Sequence, residues 1–199
     1  MSPKTKEQFE VIRQRSRENI LETALELFAR NGYASTSISQ IAKAAGVSKG
    51  LMYNYFESKE ALLHAILTSE MEMGEALWNG AMEAAETPFQ KLKNATLTMV
   101  SIVRNNQEHW KLLTSLAFQP DIMQGMEELV EGKKKMYIGQ MVGLFTEMGV
   151  PNPVMETYFY GALLDGIFLH YMNLEKDYPL DDMVGYLLER YGSGSPPSP

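Results

Sequence analysis

The run IAKAAGVSKGLMYNYFESKE, residues 41–60, includes the ammonium groups of Lys49 and Lys59, a carboxamide (Asn54), two phenols (Tyr53 and Tyr55) and the hydroxyls of Ser48 and Ser58. Groups of these types donate hydrogen bonds to phosphate oxygens and to the edges of bases in duplex DNA. The same run also suits an ordinary helical corner, so the choice depends on the elements that hold it. Covalent chemistry has no comparable set. The histidines His64, His109 and His170 fall on separate segments, and there is no cysteine, no H-E-x-x-H pair, no glycine-rich phosphate loop and no nucleophile elbow. Glu127 and Glu128 are adjacent and cannot face each other on a helix, and Lys133-Lys134-Lys135 is too short for a nucleic-acid arm. No catalytic residue, metal site or cofactor is expected, and the chain does not read as an enzyme.

The chain has 199 residues, 45% of them hydrophobic, enough for a buried core. Without cysteine it holds no disulfide and fits a reducing compartment. No apolar run approaches the roughly 18 residues that span a bilayer, and MSPKTKEQFE at the start has no signal-like apolar segment. A soluble, cytoplasmic protein with no membrane partner is the expectation. The net charge of −7 conceals a split: residues 1–60 carry nine Lys/Arg against seven Asp/Glu, and residues 61–199 nine against eighteen. The two parts face different partners.

Stepping outward along the chain, ENILETALELFARNGY places Ile20, Ala24, Leu27 and Phe28 on one face of a helix that Asn31-Gly32 stops. Ser37, with Gln40 three residues on, forms a capping box for a second helix that ends at Gly46, and Ser48 caps a third. Ser58 caps a long fourth helix whose apolar stripe includes Leu62, Ile66, Leu63 and Leu67. Thr87-Pro88 opens a fifth, and Glu108 to Phe118 form a sixth. Pro120-Asp121 opens a seventh, bent at Gly125 and ending at Met148-Gly149. PNPVMETYFYGALLDGIFLHYMN is an eighth, Leu180 to Tyr191 a ninth, and GSGSPPSP a disordered tail. No strand-like alternation appears. The expected fold is all-α with about nine helices, divided into a three-helix helix-turn-helix domain (1–60), a larger helical ligand-binding and dimerisation domain (61–191) and the tail (192–199).

Three short helices with a glycine turn between the second and third make a helix-turn-helix, whose third helix enters a major groove. Ala42, Ala45 and Val47 allow close crossing, Gly46 takes the turn, and Leu51 and Phe56 are expected to point inward. Lys49, Gly50, Tyr53 and Asn54 then face outward, with the small Gly50 letting the helix sit deep.

The stretch ILETALELFARNGYASTSISQIAKAAGVSKGLMYNYFESKEALL resembles the TetR family of transcriptional regulators, through Gly32-Tyr33, Thr36-Ser37, Ile41-Ala42, Ala45-Gly46-Val47-Ser48, Gly50, Tyr53, Tyr55-Phe56 and Lys59-Glu60. The resemblance covers about a quarter of the chain. It implies a homodimer on a palindromic operator of double-stranded DNA, and repression relieved by a small molecule held in the C-terminal domain. The DNA-contacting set it implies is Thr36, Ser37, Ser48, Lys49, Gly50, Tyr53, Asn54, Tyr55 and Lys59. Of these, Lys49 and Asn54 suit base edges, whereas Ser37, Tyr55 and Lys59 suit phosphates.

Methionine and aromatic residues are abundant beyond residue 60 and suit a pocket for an apolar or aromatic effector, although such stripes at helical spacing are more often core. Candidate lining residues are Trp78, His109, Trp110, Leu113, Phe118, Met141, Phe145, Tyr158 and Phe168. Gly161, Ala162 and Gly166, with Leu187 on the last helix, are the candidate dimer surface. The alternative reading gives the C-terminal domain a protein partner in place of a small molecule.

Overall fold

A computed structural model describes residues 5–119, 122 and 127–192. Among these residues there are nine α-helices and no strand: α1 (Lys6–Asn31), α2 (Ile38–Ala44), α3 (Lys49–Tyr55), α4 (Lys59–Glu83), α5 (Pro88–Asn105), α6 (Gln107–Ala117), α7 (Glu127–Glu147), α8 (Pro153–Leu174) and α9 (Leu180–Gly192). The Pro120-Asp121 helix start, the bend at Gly125 and residues 193–199 of the expected tail lie outside the described residues.

Local chemistry sets most of these boundaries. Ser37 and Gln40 form the capping box of α2, and Thr87 and Gln90 that of α5, each serine or threonine oxygen accepting the N–H three residues on while the glutamine reaches back. Ser48 Oγ accepts the Leu51 N–H at 3.1 Å, and Ser58 Oγ the Ala61 N–H at 3.0 Å. At the end of α2 the N–H of Val47 bonds to Ala42 O at 2.9 Å and that of Gly46 to Lys43 O at 3.3 Å, a Schellman closure that needs the φ of +69° at Gly46. Gly32, at φ +86°, ends α1, its N–H bonding to Phe28 O at 3.0 Å. One boundary differs from expectation: α1 starts at Lys6, because Thr5 and Gln8 form a further capping box. Arg13, Arg15 and Arg17 therefore ride within the helix.

The chain forms two compact units. The first holds α1–α3, α4 as far as Met71, and α6 from His109; the second holds α4 from Glu72 together with α5, α7, α8 and α9. The boundary expected after residue 60 thus falls inside α4, and α6 returns to the first unit. The reason is burial: Leu62, Leu63 and Ile66 of α4 and Leu116 of α6 close the same core as Ile20, Ala24 and Phe28 of α1, Ile41 and Ala42 of α2, and Met52 of α3. α1, α2 and α3 alone leave too much apolar face exposed to close a core by themselves. Gln119 ties α6 to the end of α1, its Nε2 donating to Phe28 O at 2.9 Å and its Oε1 accepting from Tyr33 N at 2.7 Å.

Within the first unit His109 Nε2 lies 3.1 Å from Glu70 Oε2. The close contact with the Glu70 carboxylate raises the imidazole pKa, partial burial opposes this, and the charge of Glu22 adds to the rise. A histidine raised on folding contributes its full stabilisation below the unfolded value of about 6.5 and loses it as pH climbs through the higher folded value. His109→Gln should therefore lower the denaturation midpoint at pH 6 and converge on the parent above the folded pKa. Urea titrations across that range that gave a pH-independent deficit would rule the ion pair out as the cause.

The second unit packs α8 against α7 and α9, with α5 against α7 and α9. Its centre is an aromatic cluster in which Phe145, Tyr160 and Tyr191 lie at centroid separations of 5.4–5.7 Å. Tyr160 bonds to Thr96 and Tyr191 to Glu156, so neither buried phenol is left unpaired. Burial pushes the Tyr160 hydroxyl up to about 12, which keeps it neutral.

Candidate nucleic-acid interface and cavity

The exposed face of α3 is set by fixing the helix's other side. Met52 is fully buried and Phe56 nearly so, four residues apart and on one face. Lys49, Gly50, Leu51, Tyr53 and Asn54 are left exposed. The expectation that Leu51 points inward fails for a geometric reason. Leu51 and Phe56 are five residues apart and off the shared face, whereas Met52 and Phe56 have the i, i+4 spacing. Leu51 is an apolar group on the outer surface, and the Ser48 cap and the Gly46 turn hold the start of the helix.

Three other expected contacts have different positions. Thr36 is 2% exposed, and its hydroxyl donates to Gly32 O at 2.9 Å and Leu27 O at 3.2 Å. Its side chain is committed to the α1–α2 turn and is no surface donor, while its neighbour Ser37 is exposed. Tyr55 is half-buried, its ring 6.4 Å from that of Phe56. Lys59 is engaged as well: Nζ donates to Tyr33 O at 2.9 Å and to Ala34 O at 3.4 Å, and lies 4.3 Å from the Tyr33 ring centroid. It fastens the first turn of α4 to the loop before α2. Asn19, not anticipated, holds the other side of the motif, its Nδ2 donating to Ala45 O at 2.9 Å.

The second unit contains a cavity of about 410 Å³, lined chiefly by apolar surface from α4, α5, α7 and α8. Of the nine expected lining residues, Trp78, Met141 and Tyr158 are in its wall. The others are elsewhere. His109, Trp110, Leu113 and Phe118 belong to the first unit, where Leu113 packs on the core and Phe118 is 81% exposed. Phe145 is fully buried in the aromatic cluster, and Phe168 is core. The wall also holds Met99, Tyr160, Gly161 and Asp165, and Asp165 is the one formally charged lining residue among the described residues. Its one sequence signal is an acid inside the otherwise apolar YFYGALLDGIFLHYM.

Along α8 the exposed Met155, Phe159, Ala162 and Leu169, with the half-buried Gly166, follow a four-three-four-three spacing, a seam suited to another helix. Tyr186 of α9 is 69% exposed, and the Arg190 guanidinium carbon lies 5.5 Å from the Phe159 ring. Leu187, expected at the dimer surface, is 3% exposed within its own chain because it fills the α9 core face with Val184 and Tyr191, and Gly161 faces the cavity. No described helix is long and apolar enough to cross a membrane, and the described residues form no metal-holding group of His, Asp or Glu.

Comparison with known proteins agrees with this geometry. Residues 20–66 match the family described as bacterial regulatory proteins, tetR family. The chain is 60% identical over 48 residues to the uncharacterized HTH-type transcriptional regulator YuxN of Bacillus subtilis, an alignment covering 24% of this chain and 16% of that one. It is 27% identical over 184 residues to YerO of the same organism, covering 87% of this chain and 62% of the other. The chain thus spans less than two thirds of the length of these curated relatives. Among solved structures, native NalD of Pseudomonas aeruginosa, the secondary repressor of the MexAB-OprM multidrug efflux pump, superposes with a TM-score of 0.70 at 25% identity, covering 91% of this chain and 96% of that one.

Proposed function

We propose that this chain, whose residues 20–66 match the tetR family of bacterial regulatory proteins, is a repressor that binds an inverted-repeat operator as a homodimer and leaves it when an apolar effector fills the second-unit cavity. The observation that carries this reading is α3: five outward residues, Lys49, Gly50, Leu51, Tyr53 and Asn54, on a helix pinned by Met52 and Phe56. Lys49 and Asn54 supply donors for base edges, Leu51 an apolar surface for a thymine methyl, and Ser37 and Tyr55 hydroxyls for phosphates. The α8 seam supplies the twofold contact, since exposed aromatic and aliphatic side chains in register would be a liability on a monomer. NalD, by its description a repressor, favours repression.

The effector acts only by preferring one state. A differential affinity of about 1–3 kcal/mol between DNA-competent and incompetent forms changes operator affinity roughly 5- to 150-fold. A cavity in the wall of the second unit favours a small molecule over a protein partner, which would need the α8 seam for itself. Selection of bound duplexes from a random pool, with light scattering on the same sample, tests the reading. Enriched inverted repeats and twice the 22.5 kDa chain mass are expected. An unenriched pool, or a monomer mass at micromolar concentration, would overturn it.

A further inference from the structure

We propose that the second-unit cavity selects its ligand by charge, taking lipophilic organic cations and rejecting apolar anions of the same shape. The proposal rests on the effector reading above and specifies the chemistry of that site. Three features lead to it. Trp78, Tyr158 and Tyr160 are among the lining residues, and an aromatic ring attracts a cation held over its face within about 6 Å. Asp165 stands at the rim, more than a third exposed, and no described lysine, arginine or histidine pairs with it or lines the cavity. The two threonine hydroxyls of the wall are bonded within the chain. Thr96 Oγ1 donates to Leu92 O at 2.6 Å and bonds to the Tyr160 hydroxyl, and Thr157 Oγ1 donates to Pro153 O at 2.8 Å.

An anionic ligand would lose its hydration and meet a carboxylate of like charge, with no cationic side chain among the described lining residues to offset it. A cation would lose hydration too, but it gains ring faces and a carboxylate with no competing partner. The state of Asp165 agrees with this: burial holds its carboxyl above the usual carboxylate range, the direction expected of an acid with no counter-charge. The sign gives a second readout. As pH falls through that raised value the carboxylate is lost, and cation affinity should fall with it while that of a neutral ligand stays level. Met99 and Met141 add polarizable surface that adapts to ligands of different outline.

Tetraphenylphosphonium and tetraphenylborate share a shape and differ in sign, so calorimetric titration of the full chain with each isolates charge. The parent protein should bind the phosphonium at least about tenfold more tightly. Asp165→Asn should bring the ratio close to one, and Asp165→Lys should invert it. Because Asp165 is a rim residue without a partner, neither change should prevent folding, which circular dichroism checks. Equal or reversed preference in the parent, a ratio untouched by Asp165→Asn, or no binding of either ion would overturn the proposal. If the phosphonium binds with the stated preference yet operator DNA stays bound, charge selection stands and the effector reading fails. If the phosphonium is refused while a neutral compound releases the DNA, the reverse holds.

Discussion

Phe28→Ala should cost the first unit about 3–5 kcal/mol, a large share of the stability of a small domain. Phe28 is fully buried on α1, its ring meets that of Tyr33 edge-on at 5.1 Å, and its carbonyl accepts from Gly32 N at 3.0 Å and Gln119 Nε2 at 2.9 Å. Removing the ring leaves a cavity where α1, α2, α4 and α6 converge, and the neighbours are already at packing distance. The loss comes from the transferred apolar surface and from the void left behind. Phe28→Leu keeps most of the volume and should cost about 1–1.5 kcal/mol. The two tryptophans lie in different units, Trp110 in the first and Trp78 in the second. In denaturant titrations, the Trp110 transition should move to lower concentration while that of Trp78 stays close to the parent. A Phe28→Ala deficit under about 1 kcal/mol would mean that the ring does not anchor this core.

The helix ends were legible because each depends on a few neighbouring residues. Ser37 with Gln40, Thr87 with Pro88 and Gln90, and the glycines at 32 and 46 satisfy their own backbone groups whatever lies farther along the chain. The face of α3 was legible in part. The i, i+4 relation of Met52 to Phe56 was present in the sequence, and choosing Leu51 in place of Met52 misread the period. The composition of the units was not legible. An aromatic or aliphatic residue on an amphipathic helix carries no mark of which core it joins, so His109, Trp110 and Leu113 read equally well as cavity lining and as first-unit core. Thr36 shows the same limit from the other side. Its position matched an expected surface contact, but a hydroxyl that finds two carbonyls of the preceding turn is better placed inside. Asp165 was overlooked because α8 was read for its small residues, while a lone acid among apolar neighbours is the costlier and more informative departure.

Asn54→Ala and Lys59→Ala should both weaken operator binding, and the pattern of weakening should separate reading from support. Asn54 is exposed on the outer face of α3, and a carboxamide pairs bidentately with adenine. Its removal should cost about 1–3 kcal/mol at one base pair, roughly 5- to 150-fold, and relax preference there alone. The carboxamide is neutral, so the salt dependence should be unchanged. Lys59 holds Tyr33 O and Ala34 O, setting the loop that leads into Ser37 and α2. Its removal should lower affinity for every sequence alike and also cost about 1–3 kcal/mol of stability, the range for hydrogen bonds made by a charged group. Anisotropy titrations against the selected operator and single-substitution variants of it, with melting curves of the free proteins, provide both readouts. If Asn54→Ala weakens all duplexes equally, α3 does not read bases through that residue. If Lys59→Ala melts like the parent, the lysine is not the fastener that its two carbonyl bonds describe.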